Sequence, residues 1–131
     1  MRRTARIAAA GLLILGLLVP AGSALASGGT ARVEKSGPCS GSARWDLKAK
    51  PDDGMIEVEF EVDSNRAGQT WHVTLLKNGN SFFSGDRVTK APSGSFTVAR
   101  RTPNPAGSDT IKGRAVFKAT GQTCVGHVTL G

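Results

Sequence analysis

Beyond Ser42 the chain reads as short runs in which apolar and polar residues alternate, the period of a strand with one buried face. Trp45, Leu47 and Ala49 alternate with Arg44, Asp46 and Lys48, and Ile56, Val58, Phe60 and Val62 alternate with Glu57, Glu59 and Glu61. Between them stands Pro51-Asp52-Asp53-Gly54, a turn-forming stretch, so the pattern predicts a hairpin. Closing it over those residues sets Ala49 opposite Ile56, Leu47 opposite Val58 and Trp45 opposite Phe60 on one face. On the other face Lys48 meets Glu57, Arg44 meets Glu61, and Asp46 meets Glu59.

Trp71, Val73 and Leu75 lead into Asn78-Gly79, the dipeptide best suited to the positive φ angles of a two-residue hairpin turn, and Ser81 to Ser84 return. In that register Leu75 opposes Phe82 inward, Thr74 opposes Phe83 outward, and Leu76 opposes Ser81. Gly85 to Thr89 and Ser95 to Arg101 are weaker segments, with Phe96 and Val98 as inward candidates. After Pro103-Asn104-Pro105, Ile111 to Ala119 and Gln122 to Leu130 form a last hairpin around Thr120-Gly121. It pairs Ile111 with Leu130, Gly113 with Val128, Ala115 with Gly126 and Phe117 with Cys124. No long segment has helical period. The reading is an all-β, antiparallel seven-stranded sandwich.

Over Ser42 to Leu130 the strand count, Trp71 early in the third strand and the closing hairpin resemble immunoglobulin-like and fibronectin-type-III-like sandwiches. That resemblance implies a third strand lying beside the sixth, and first and last strands close together. Two departures stand out. Cys39 precedes the first strand, so the antibody-type inter-sheet disulfide is missing, and a chain without Tyr has no tyrosine corner. With its leader, its Ala/Gly/Arg usage and the stretch from Val62 to Trp71, the chain also resembles small secreted proteins of high-GC Gram-positive bacteria, a likeness that carries no activity.

The leader is residues 1–26. Arg2, Arg3 and Arg6 precede an apolar run from Ile7 to Val19, then Pro20, Gly22 and the small-residue site Ala24-Leu25-Ala26, in the order of a signal peptide. The run is shorter than the roughly 20 residues a membrane-spanning helix needs. Thr4-Ala5-Arg6 after the arginine pair favours general secretion over twin-arginine export. No membrane span is expected after cleavage, and the product is expected to be secreted and extracellular. Residues 27–42, rich in Gly and Ser, read as a flexible segment, and 43–131 as the sandwich domain. In an oxidising compartment Cys39 and Cys124 are expected to pair, since the spacing of a metal or redox motif is absent.

Charge changes the picture little. Removing the three leader arginines lowers the net charge from +7 to +4, which weakens a nucleic-acid reading. There is no phosphate loop, dinucleotide fingerprint or zinc-finger spacing, so no cofactor is expected. Asp63 to Gly68 begins like a calcium loop, but Ala67 and Thr74 stand where later ligands belong, and the stretch reads as a polar turn. Glu57, Glu59 and Glu61 have the spacing of paired carboxylates, yet read as a solvent-facing ladder opposite cations. His72 and His127 lack a third metal ligand. Both Trp residues read as core. No Ser sits in a nucleophile elbow, and no order of His and Asp suggests a catalytic triad.

What remains is a surface. The last hairpin turns Val116 with Val125, Arg114 with His127, Lys118 with Thr123 and Lys112 with Thr129 outward. With the third strand beside the sixth, these share a face with His72, Leu76 and Phe83: an apolar centre rimmed by cations, the mark of a binding site. The expected protein is a secreted, non-catalytic binding or cell-envelope interaction module whose partner is an acidic protein or an anionic envelope polymer. Three other classes stay open. One is a protease inhibitor presenting Ala99 to Asp109 as an exposed loop; another is a small-ligand carrier resembling the apoproteins of antibiotic chromoproteins; the third is an enzyme, which needs a polar pocket that the sequence does not show.

Overall fold

A computed structural model describes residues 32–131. The leader at 1–26, with its cleavage site and the start of the following segment, lies outside the described residues. Eight strands form: β1 (Val33–Pro38), β2 (Arg44–Asp52), β3 (Met55–Asp63), β4 (Thr70–Lys77), β5 (Asn80–Val88), β6 (Ser95–Pro103), β7 (Asp109–Phe117) and β8 (Thr123–Leu130). They build two antiparallel four-stranded sheets, ordered β1-β2-β3-β6 and β5-β4-β7-β8, with no helix among the described residues.

The expected count of seven is corrected to eight. Val33–Pro38 lies in the segment read as flexible, yet it pairs along β2 from Val33 opposite Ala49 to Pro38 opposite Arg44. As an edge strand it satisfies its backbone on one side only and shows most of its side chains to water, so its sequence carries little alternation. The return from Ser81 to Ser84 and the weaker segment beginning at Gly85 are one continuous strand, β5.

Two hairpin registers differ from expectation by two residues. In β2–β3 the turn is Asp53-Gly54 alone, at φ 52° and 75°, and the ladder runs on through Pro51 and Asp52. Leu47 therefore opposes Phe60, and Ala49 opposes Val58. In β7–β8 the connection is wider, closed by the Gly121 N–H donating to the Phe117 carbonyl at 2.7 Å, and Ala115 opposes Cys124. A two-residue slip leaves every side chain on its face, so the inward rows stand as read.

The β4–β5 hairpin does turn at Asn78-Gly79, at φ 50° and 83°. Asn78 also ties the turn to β7: its amide donates to the Asp109 carboxylate at 2.8 Å and its carbonyl accepts from the Thr110 N–H at 2.8 Å. Past the turn the register shifts between Leu75 and Leu76, so that Leu76 opposes Ser81 but Leu75 opposes Phe83. The extra residue is Phe82. A bulge of one residue reverses parity. Phe83, expected outward opposite Thr74, is instead half-buried, opposite fully buried Leu75, and packs against the core.

The sheets meet over Leu47, Ile56, Val58, Phe60, Trp71, Val73, Leu75 and Ile111, all essentially without solvent contact. Trp71 stacks on Phe117 with ring centres 5.2 Å apart. Trp45, expected in the core, is only half-buried at the margin where β1 and β8 approach each other. Its six-membered ring covers Gly126 of the opposite sheet so closely that an added Cβ would lie 2.3 Å from it; Phe60 covers Gly113 in the same way, at 2.8 Å. The Cys39–Cys124 disulfide closes the same margin, joining the end of β1 to β8 across 85 residues of sequence. Such a bond fits an oxidising compartment. No helix of the described residues is long and apolar enough to cross a membrane.

Gly126→Ala is expected to destabilise by about 1–3 kcal/mol, because the indole must leave its seat. Replacing Cys39 and Cys124 together by Ala should cost about 2–5 kcal/mol. Urea unfolding of the oxidised protein measures both, and an unchanged midpoint in either variant contradicts the packing described.

Candidate functional site

The outer surface of the β5-β4-β7-β8 sheet is built from three cross-strand rows. Ser81, Leu76, Lys112 and His127 form the first; Ser84, Thr74, Arg114 and Val125 the second; Asp86, His72, Val116 and Thr123 the third. Pairing of β4 with β7 therefore brings His72, Leu76, Lys112, Arg114, Val116, Val125 and His127 onto one face. Lys118, just beyond β7, reaches Asp86 at the edge of this surface. Phe83 does not belong to it, since the bulge turns it inward. Val125 is 41% exposed, an apolar group held in water beside Arg114.

The two histidines share the face without meeting. They stand on strands separated by β7 and four residues apart along the ladder, roughly 16 Å by strand geometry. Among the described residues no group of three or more His, Cys, Asp or Glu side chains is placed to hold a metal ion. In the stretch compared with a calcium loop, the Asp63 carboxylate accepts from the Asn65 N–H at 2.9 Å, local turn chemistry that uses a would-be ligand.

His72 instead stands in a hydrogen-bonded chain that sequence order did not reveal. Its Nδ1 is 2.8 Å from Asp86 Oδ1, its Nε2 is 3.1 Å from Ser84 Oγ, and Lys118 Nζ donates to the other Asp86 oxygen at 2.6 Å. His72 pairs directly with Asp86 across the strands, a relation that depends on the bulge and so left no sequence signal. Ser, His and Asp in this linkage have the connectivity of a hydrolytic triad. Ser84 lies mid-strand on an open sheet surface, however, whereas a nucleophile works from a tight turn beside N–H groups aimed at the developing oxyanion. The His72 and Asp86 side chains are 44% and 41% exposed, so water competes for the same bonds.

The electrostatics of the two outer surfaces differ. Asp86 is the only carboxylate in the three rows, and it is engaged by Lys118 and His72; Lys112 and Arg114 have no carboxylate partner among the described residues. The outer surface of the β1-β2-β3-β6 sheet carries Glu34, Asp46, Glu57, Glu59, Glu61 and Asp63, interleaved with Arg44, Lys48 and Lys50. Lys50 pairs with Glu57 at 3.2 Å, and Lys48 faces Glu59. Burial, then the neighbouring Glu34 carboxylate, and lastly Glu61 push the Asp46 carboxyl above its ordinary range.

Beside β8 the basic face runs into an open groove of about 410 Å³ lined by Lys35, Ser36, Trp45, Val125, Gly126 and His127. The segment from Ala99 to Asp109 is not one exposed loop. Its first half belongs to β6, and Asp109 begins β7 with its side chain buried against Asn78. No protein-family model and no curated protein matches the chain.

Hydrogen bonds from Lys118 and then His72 hold the Asp86 carboxyl below its ordinary 3.8. A lowered folded-state value favours the native state above the ordinary carboxylate range and loses that effect as pH falls through the lowered value. Carboxyl-detected NMR titration should find Asp86 titrating below free aspartate, and Lys118→Met should move it upward. An unmoved midpoint would show that the pair is not formed in solution.

Proposed function

We propose that this is a secreted, non-catalytic binding module of immunoglobulin-like type that holds an anionic polymer of the cell envelope on the outer surface of its β5-β4-β7-β8 sheet. The observation that carries the reading is the pairing of β4 with β7, which sets uncompensated Lys112 and Arg114 beside Leu76, Val116 and Val125 on one open surface. Alternate residues of a strand repeat at about 6.8 Å, so Lys112 and Arg114 present successive charges along one line. A flat cationic row of this kind suits an extended chain of repeating negative charge; a small ligand needs a concave, enclosing site. The apolar side chains beside the cations add contact area at low desolvation cost.

The strand order supports the immunoglobulin-like assignment. With β2 to β8 taken as the seven strands, the third lies beside the sixth and the first, second and fifth share the other sheet; β1 is an addition at the edge. The fourth strand pairs with the third, placing four strands behind the proposed surface.

Biosensor binding to immobilised polyglutamate, a chemically simple polyanion, tests the proposal. Binding should weaken steeply between about 50 and about 300 mM salt, as exposed charge contacts do. Lys112→Glu with Arg114→Glu should reduce it at least tenfold, while Glu57→Lys with Glu59→Lys on the opposite surface should preserve it. Full capture by the first double variant overturns the reading.

A second measurement addresses catalysis directly. A fluorophosphonate ester should leave Ser84 unmodified; covalent labelling that disappears in His72→Ala would make the Ser84–His72–Asp86 chain a hydrolase site instead.

A further inference from the structure

The margin between β5 and β6, opposite the disulfide, is built unlike the rest of the sandwich. On β5 the positions facing the other sheet are Phe83, Gly85 and Arg87, paired with Leu75, Val73 and Trp71, each fully buried. On β6 the inward row runs Phe96, Val98, Arg100, and Arg100 opposes buried Val58. Both edge strands thus place an arginine where the alternation calls for an apolar residue. A guanidinium at such a position must run its aliphatic stem along the core and bring its charge out at the opening.

Both charges stand at one ring. The guanidinium carbon of Arg87 is 5.0 Å, and that of Arg100 4.6 Å, from the centre of Phe83. The π-face attracts each cation. Gly85 leaves the space: a Cβ there would lie 3.2 Å from Phe83 Cζ and 3.7 Å from Arg87 Nη1. Each arginine is held a second time by donating through Nη1 to the carbonyl of its preceding residue, Arg87 to Asp86 at 2.8 Å and Arg100 to Ala99 at 2.9 Å.

Neither arginine has a carboxylate partner among the described residues. The Asp86 side chain is turned to the outer surface, where Lys118 and His72 engage it. The two guanidinium carbons stand 5.0 and 4.6 Å from one ring centre, hence no more than 9.6 Å apart, without a carboxylate partner among the described residues. The remaining N–H groups of a guanidinium fork match the oxygens of a tetrahedral anion, and two arginines at one ring supply donors enough for one such anion. Inward charges on edge strands also discourage sheet-to-sheet pairing, but that role does not require them to converge on one ring.

We propose that Arg87 and Arg100, supported by Phe83, form a binding site for a tetrahedral oxyanion, a phosphate or sulfate group, at the β5–β6 margin. This site is separate from the cationic outer surface and independent of what binds there. A terminal or pendant phosphate or sulfate of a larger molecule presents the same chemistry as the free ion.

The test is NMR titration of the purified protein with inorganic phosphate and, separately, inorganic sulfate, each against sodium chloride at matched ionic strength. The side-chain Nε–H signals of Arg87 and Arg100 should shift together along one saturable 1:1 isotherm, with the two anions distinguishing phosphate from sulfate preference. Arg87→Gln and Arg100→Gln should each weaken binding at least tenfold. Arg100→Lys, which keeps the charge and loses the fork, should weaken it several-fold. Lys112→Gln with Arg114→Gln should leave it unchanged, so failure here and failure of the polyanion surface are read separately. Thermal unfolding of each variant confirms that the fold persists. Shifts that follow ionic strength alone, equal response to chloride, or undiminished affinity in either glutamine variant would overturn the site.

Discussion

Two aromatic rings of one sheet resting on two glycines of the other hold the geometry of the whole domain. Phe60 lies against Gly113, and Trp45 lies against Gly126, with no room for a Cβ at either glycine. These contacts seat the β1-β2-β3-β6 sheet against β7 and β8. Interiors packed this tightly resist the addition of even one carbon. The disulfide reinforces the same side, since Cys39 and Cys124 are both buried beside the β1–β8 margin. One margin of the sandwich is thereby sealed by a covalent bond and a wedged indole. At the other, Phe82 and Phe83 pack against the core and two guanidinium groups lie over the Phe83 ring.

Holding the sheets in this relation gives the protein two unlike outer surfaces. One presents a lattice of acids and bases, in which cross-strand neighbours such as Lys50 and Glu57 largely answer each other. The other presents cations with few acids, and its one carboxylate is committed to His72 and Lys118. The asymmetry of charge supports a binding role for the second surface and a solvated role for the first. The Ser84–His72–Asp86 chain belongs to this same surface. On an open strand its plain physical consequence is to orient His72 and to couple the edge strand β5 to β4 through side chains as well as backbone.

Much of the candidate surface could be read from alternation because the side-chain period of a strand is two. The β2–β3 and β7–β8 registers were each displaced by two residues, yet Lys112, Arg114, Val116, Val125 and His127 kept their outward positions. Phe83 did not, because one inserted residue at Phe82 exchanges the faces for everything beyond it. Nothing in Ser81-Phe82-Phe83-Ser84 distinguishes a regular strand from a bulged one. Both phenylalanines gain burial by leaning inward, and only the facing core reveals that gain. β1 escaped the pattern for a different reason. A polar edge strand is stabilised by backbone pairing to its neighbour, and backbone pairing leaves no mark on composition.

Local chemistry alone therefore determined the all-β class, the inward and outward rows of most strands, the Asn78-Gly79 turn and the partnership of the two cysteines. Each follows from neighbours in sequence, or from there being only two thiols. The three-dimensional arrangement decided the rest: the bulge that turns Phe83 inward, the meeting of Ser84, His72 and Asp86, the place of Trp45 at a margin, and the convergence of Arg87 and Arg100 on one ring. These depend on which strands lie side by side and which edges face one another. Those choices are made by the packing of residues far apart in sequence, Phe60 on Gly113 and Trp45 on Gly126 among them, and a period of two carries no record of them.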